Sequence, residues 1–176
     1  MIDDVVVAPT GEKGLGVYAR RAFTAGEFVF RRRHGRTVTA GDLGRLSVEE
    51  REHLCELDFD RWAVLLPPGC YLNHSCEPNA MRRGVNVVAW RAIAAGAEIT
   101  IDYRLNAYDD TEVSPCLCGA PGCPGHYVNS FFALTPDRQA DYLPYAPAFI
   151  RREHRRRTEA ARREVAGPSG RPRPTT

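Results

Sequence analysis

The sequence predicts a mainly β fold with short helices, closed by helices at its C-terminal end. Three observations carry this prediction. Apolar runs such as Val5-Val6-Val7 and Ile99 to Tyr103 have strand length and are bounded by Gly, Pro and Asn turns. No strand–helix–strand repeat of crossover length occurs, which disfavours a doubly wound parallel sheet. A long stretch with helical charge spacing appears only near the end, from Phe149 to Val165. With 176 residues and 43% hydrophobic content, the chain can form one domain plus extensions around a real core.

Val5 to Val7 reads as a first strand closed by Pro9, and Gly11-Glu-Lys-Gly-Leu-Gly16 as a flexible loop. Val17 to Ala22 is the second strand, Ala25-Gly26 a turn, and Glu27 to Phe30 the third. Ser47-Val-Glu-Glu50 has the form of a capping box, in which the serine oxygen and Glu50 satisfy each other's free amides. A helix from Val48 to Leu57 is expected after it, with Leu54 and Leu57 at helical spacing. Pro67-Pro68-Gly69 punctuates the chain, and Val85 to Trp90 and Ile99 to Tyr103 are two more strands. Thr135-Pro136 supplies an N-cap and a first-turn proline for a short helix to Tyr142. In the last helix, Glu153 to Arg157 and Glu159 to Arg163 are favourable pairs four residues apart. Gly167 ends it, and Pro168 to Thr176 is too rich in Pro, Gly and Arg to fold alone. One internal echo stands out. Arg21-Ala-Phe-Thr-Ala-Gly-Glu27 resembles Arg91-Ala-Ile-Ala-Ala-Gly-Ala-Glu98, which reads as two similar hairpin-like connections.

No apolar run approaches membrane-spanning length, so no membrane partner is expected. The opening Ile2-Asp3-Asp4 is not a secretory leader, which points to a cytoplasmic protein, or a nuclear one in a eukaryote. The net charge of +2 hides an asymmetry: residues 151–176 hold nine arginines and three glutamates, a balance of +6, leaving about −4 for the rest. An acidic body suits a cationic ligand or peptide, and the arginine-rich tail suits nucleic acid or an acidic partner. Lys13 is the sole lysine.

Polar chemistry concentrates in Tyr71-Leu-Asn-His-Ser-Cys-Glu-Pro-Asn79, next to the apolar run Trp62 to Leu66. Further on, Cys116, Cys118 and Cys123 form Cys-x-Cys-x4-Cys among glycines and prolines that let the backbone fold tightly round an ion. Structural zinc sites close with four ligands. The candidates for the fourth are Cys76, Cys55, Cys70 and His126. His126 is cramped against Cys123, Cys55 falls in the expected helix as a core residue, and Cys70 is expected to be buried. Cys76, in a loop-like Ser-Cys-Glu-Pro context, is the preferred choice.

Four blocks occur in a fixed order: Gly14-Leu-Gly16-Val-Tyr18-Ala, Asn73-His-Ser-Cys-Glu-Pro-Asn79, Glu98-Ile-Thr-Ile-Asp-Tyr103 and Cys116-x-Cys-x4-Cys123. Together they resemble a SET-domain protein-lysine methyltransferase with its post-SET zinc segment, over about residues 5–128. The resemblance implies small curved sheets around a knot-like crossing, with C-terminal helices added. It implies a SET domain with post-SET segment over residues 1–128, with a short insert at about 36–69 and the post-SET part at about 114–128. A helical extension over 129–166 and a disordered basic tail over 167–176 complete the chain.

By the same resemblance, Gly14, Leu15, Gly16, Asn73 and His74 would contact S-adenosyl-L-methionine. Tyr103 would be the catalytic tyrosine, and Tyr71, Ile101 and Tyr127 would border the substrate channel. Cys76, Cys116, Cys118 and Cys123 would hold one structural zinc ion. The substrate would be a protein with an accessible lysine. The chain departs from the family pattern at Cys70, where an arginine is common, and at Ile101, where an aromatic residue is common. These departures motivate one alternative, a catalytically weak binding or scaffold module, and the short insert motivates another, methylation of a non-histone or small-amine substrate.

Overall fold

The computed structural model describes residues 3–108 and 113–166. The stop at Gly167 and the stretch from Pro168 to Thr176, both read from the sequence, lie outside these residues. In chain order, β1 (Val5–Pro9) and β2 (Leu15–Ala19) form a hairpin, with Val5 opposite Ala19 and Pro9 opposite Leu15. Its turn ends at Gly14 with φ 77° and ψ −111°, a conformation that essentially only glycine adopts. β3 (Phe28–Arg31) and β4 (Arg33–Thr39) follow. α1 (Val48–Glu52) leads into β5 (Leu54–Asp58) and β6 (Arg61–Leu66).

The polar stretch supplies β7 (Asn73–His74), and β8 (Ala80–Arg83) and β9 (Asn86–Ala89) make a second hairpin. β10 (Glu98–Ile101) runs up to Tyr103, and β11 (Val113–Pro115) pairs with β12 (His126–Val128) around the cysteine loop. α2 (Pro136–Tyr142) and α3 (Ala148–Ala166) close the chain.

The sheets are small: β1-β2-β10-β7, β3-β9-β8, β4-β6-β5 and β11-β12. In the first, β10 pairs antiparallel with β2 and parallel with β7. That double pairing brings three distant parts of the chain side by side. The internal echo has a structural meaning beyond two similar turns, because the two copies pair with each other. Phe23 donates to the Ile93 carbonyl at 2.8 Å and Ile93 donates back at 2.9 Å. Gly26 donates to Ala89, and Gly96 donates to Ala19. Both glycines have φ near 80°, the left-handed region the turn requires.

Three apolar clusters hold the layers. The largest joins β1, β2, β3, β9 and β10 through Val17, Phe23, Phe30, Ile93 and Ile99, all essentially inaccessible. A second sets Phe131, Tyr142, Phe149 and Ile150 against Met81 and Leu105, so the C-terminal helices are part of the core. The third lies in the insert around Val38, Leu46 and Val64. Inside α3, the buried Glu153 accepts from Arg156 Nε and Nη2, each at 2.6 Å, and from Arg157 Nε at 2.8 Å.

Several expectations need correction. The Ser47–Glu50 capping box forms as read, but the helix it starts ends at Glu52 rather than Leu57. Leu54 and Cys55 instead pair with Val64 and Ala63 in β6, so sheet pairing overrides the helical spacing of the leucines. Cys55 is buried as expected, but in a strand. Cys70 is only half-buried, in a single 3-10 turn before Leu72. β2 begins at Leu15, inside the stretch read as a loop, because Gly16 lies opposite Ala8.

Candidate active site

β10 is locked on both edges. Asn79 reaches it with its side chain: Nδ2 donates to the Glu98 carbonyl at 2.7 Å, and Oδ1 accepts from the Thr100 amide at 2.9 Å. Ser75 donates its amide to the Ile101 carbonyl at 2.9 Å. The strand therefore delivers Asp102 and Tyr103 directly beside Asn73 and His74.

The Tyr103 hydroxyl donates to the Leu72 carbonyl at 2.8 Å, while its amide donates to His74 Nδ1 at 3.2 Å. Burial, reinforced by the nearby Tyr127 phenol, pushes the Tyr103 phenol well above its ordinary range, so it stays protonated at any physiological pH. The hydrogen bond to Leu72 uses its one proton, and the oxygen lone pairs remain free to accept.

His74 is buried, and desolvation holds its imidazole down at about 4, with Asp102 opposing and Arg104 assisting. The ring is therefore neutral. Nδ1 accepts from the Tyr103 amide, which leaves the proton on Nε2, 3.5 Å from Cys76 Sγ. Tyr127 from β12 stacks on this ring at 4.2 Å with planes 24° apart. Asp102 is almost fully buried and takes a fork from Arg104, Nε to Oδ1 at 2.9 Å and Nη2 to Oδ2 at 2.8 Å. The Tyr142 hydroxyl of α2 donates to the same carboxylate at 3.3 Å.

On the other side, Asn73 Nδ2 donates to the Leu15 carbonyl and to Glu98 Oε1, both at 2.9 Å. Glu98 Oε2 pairs with Lys13 at 2.5 Å. Both Asn73 amide hydrogens are thus used, and Oδ1 is the atom left to accept from a ligand ammonium group. Gly16 sits close beneath: a Cβ there would come within 2.8 Å of Glu98 Oε1 and 3.2 Å of Asn73 Nδ2. The structure therefore brings Gly14, Leu15 and Gly16 together with Asn73 and His74, and the free acceptor beside a glycine-lined strand start fits a small amino-acid group.

A cavity of about 400 Å³ opens next to the phenol, lined by Leu72, Ile101, Tyr103, Asn106 and Tyr127 among others. Ile101 and Tyr127 meet there. Tyr71 does not line it; its ring packs edge-on against His53 at 5.5 Å, over the first core.

Cys76, Cys116, Cys118 and Cys123 converge, with all four sulfurs within 4.8 Å of one another. Cys76 Sγ lies 3.8 Å from Cys116 Sγ and 3.6 Å from Cys123 Sγ. Zinc–sulfur bonds of about 2.3 Å in a tetrahedron give sulfur separations of about 3.8 Å, so the donor set fits zinc. His126 is outside this set, its Nδ1 lying 3.1 Å from the Pro124 carbonyl.

Sequence reasoning missed Asp102, Arg104, Tyr142 and the Lys13–Glu98 pair. Asp102 carried one signal, a carboxylate between an apolar strand and the tyrosine. Tyr142 carried none, since a tyrosine ending a short helix reads as packing.

A buried phenol, a neutral imidazole and an asparagine amide gather beside one parallel strand pair. A SET domain family model matches residues 14–104, and the chain belongs to that family. The chain is 29% identical over 166 residues to "Histone-lysine N-methyltransferase, H3 lysine-36 specific" of Eremothecium gossypii, covering 82% of this chain and 24% of that protein. It is 31% identical over 143 residues to "Histone-lysine N-methyltransferase trr" of Drosophila melanogaster, covering 69% of this chain and 6% of that one. The chain thus spans less than a quarter of the length of these relatives. Among solved structures, the methyltransferase domain of human histone-lysine N-methyltransferase SETMAR superposes with a TM-score of 0.54 at 22% identity, over 68% of this chain and 55% of that one, a likeness of fold.

Proposed function

We propose that this protein is an S-adenosylmethionine-dependent protein-lysine methyltransferase, with residues 1–128 as its SET and post-SET unit, residues 36–69 as a short insert and residues 129–166 as a helical extension. The observation that carries this reading is that Tyr103 lines the 400 Å³ cavity just past the strand that pairs with Asn73 and His74. The named relatives are histone-lysine methyltransferases, and the substrate class follows: a lysine side chain of a protein.

When bound, S-adenosylmethionine supplies a methyl group on a sulfonium. Asn73 Oδ1 and the Gly14-Leu15-Gly16 backbone would hold its amino-acid part, and the His74 main chain its adenine. The residues around the cavity must then deliver a neutral amine. Lysine has an unperturbed pKa of about 10.4, so neutrality at pH 7 costs roughly 4–5 kcal/mol in water. Leu72, Ile101, Tyr103 and Tyr127 line the cavity together, and apolar surroundings of this kind favour the neutral form. The Tyr103 oxygen accepts an N–H of that amine and so aims its lone pair. Alignment of this kind is worth up to about 7–11 kcal/mol of barrier. Tyr103 does not act as a base, because its proton is held by burial and by Leu72.

Zinc in the four-cysteine cage would stabilise the β11–β12 hairpin and, through it, the stack of Tyr127 on His74. The test is incubation of zinc-loaded protein with labelled S-adenosylmethionine and a panel of basic proteins, read by mass spectrometry. Methyl groups on substrate lysines are the expected result. Failure to bind the cofactor in calorimetry, with no label transferred, would reject the assignment.

A further inference from the structure

Away from the phenol lies a second cavity, of about 370 Å³, between the insert sheet, the β8–β9 hairpin and the start of α3. Its wall is cationic. Arg32 and Arg82 line it and are 3% and 6% exposed. Each sends one guanidinium nitrogen to the buried Cys55 sulfur, Arg82 Nη1 at 2.9 Å and Arg32 Nη1 at 3.7 Å. The Nε atoms of both arginines have no hydrogen-bond partner, and neither does His34 Nε2, which lines the same cavity. A buried N–H without an acceptor costs about 1–3 kcal/mol, and few native sites tolerate several together.

Two exposed guanidinium groups, Arg83 and Arg151, stand at the rim. The first turn of the 19-residue α3 adds its free amides at Ala148, and that turn holds no acidic side chain. The opposing charge is the Glu56 carboxylate, which also lines the cavity and accepts from the Tyr108 amide at 3.0 Å.

We propose that this cavity is a binding site for a phosphate group. Four arginines, two of them nearly buried, line the cavity beside a helix N-terminus, and a tetrahedral oxyanion can accept from several such donors at once. The volume exceeds that of a free phosphate ion, so a phosphate ester on a small molecule or on a side chain fits as well. Arg32 and Glu56 also line the 400 Å³ cavity, so the two sites share a wall.

The test needs no methyl-transfer activity. The full chain, zinc-loaded, is titrated in a calorimeter with inorganic phosphate and separately with a phosphoserine peptide, each against chloride at matched ionic strength. Saturable binding in at least one arm is expected, and the tighter arm tells a free from an esterified phosphate. Arg83→Ala combined with Arg151→Ala, both exposed and tolerable to the fold, should weaken it by roughly tenfold or more. Arg82→Leu should abolish it in protein whose circular dichroism is unchanged. Binding in neither arm, an adventitious ion effect equalled by chloride, or full affinity in the rim double variant would overturn the proposal.

Discussion

The Tyr103 hydroxyl donates to the Leu72 main-chain carbonyl at 2.8 Å, across 31 residues of sequence. That bond ties the end of β10 to the entry of β7, and it spends the only proton of the phenol. Under the proposed function the phenol orients an amine by accepting from it, and its charge state does not change with pH in the physiological range.

The zinc cage should be coupled to the site through one ring. Cys118→Ser removes one of the four converging sulfurs, a ligand in the proposed zinc cage, without touching the cavity lining. It should lower the melting temperature markedly and release zinc, as metal-dependent folding units do. It should also weaken cofactor binding, because Tyr127 loses its fixed place over His74. Zinc release measured with a chromophoric chelator, alongside cofactor calorimetry, checks this; unchanged cofactor affinity in the zinc-free variant would sever the link.

Ile101 faces the same cavity as Tyr103. Ile101→Phe fills part of that volume, leaving less room for an amine that already carries methyl groups. The variant should retain the first transfer and lose later ones, seen by mass spectrometry as a shift toward monomethylated product. An unchanged distribution of methylation states would place Ile101 outside the product-limiting wall.

Glu153 should contribute a pH-dependent part of the stability. Arg156, assisted by Arg157, pushes its carboxyl down to about 2 from the ordinary 4.5. A depressed carboxylate stabilises the fold above its unfolded pKa, and this contribution is lost as pH falls from 4.5 toward 2. Glu153→Gln should lower the melting temperature by a few degrees at pH 7, and the gap to wild type should close over that acid window. Melting curves against pH test this, and a gap constant down to pH 2 would contradict it.

Much of this arrangement was legible in the sequence where chemistry is local. The cysteine spacing picked out a candidate metal site, and the loop context of Cys76 supplied a fourth sulfur that the fold brings into range. The Ser47–Glu50 box and the Thr135-Pro136 start were readable because capping is settled within four residues. What was not legible depends on contacts between distant segments. Leu54 to Asp58 has helical spacing yet becomes a strand because β6 offers it partners. Polar Arg33 to Thr39 gave no strand signal and forms β4 on the same sheet. Asp102, held by Arg104 and Tyr142, and the buried Arg32–Cys55–Arg82 group arise only once the layers close.

The central claim is that the Tyr103 oxygen aims a lysine amine within the cavity. The most direct measurement compares wild type and Tyr103→Phe for methyl transfer under saturating cofactor, with cofactor affinity measured on the same preparations. The account predicts a loss of turnover of roughly a hundredfold or more with affinity nearly unchanged. Equal turnover in the phenylalanine variant would contradict it.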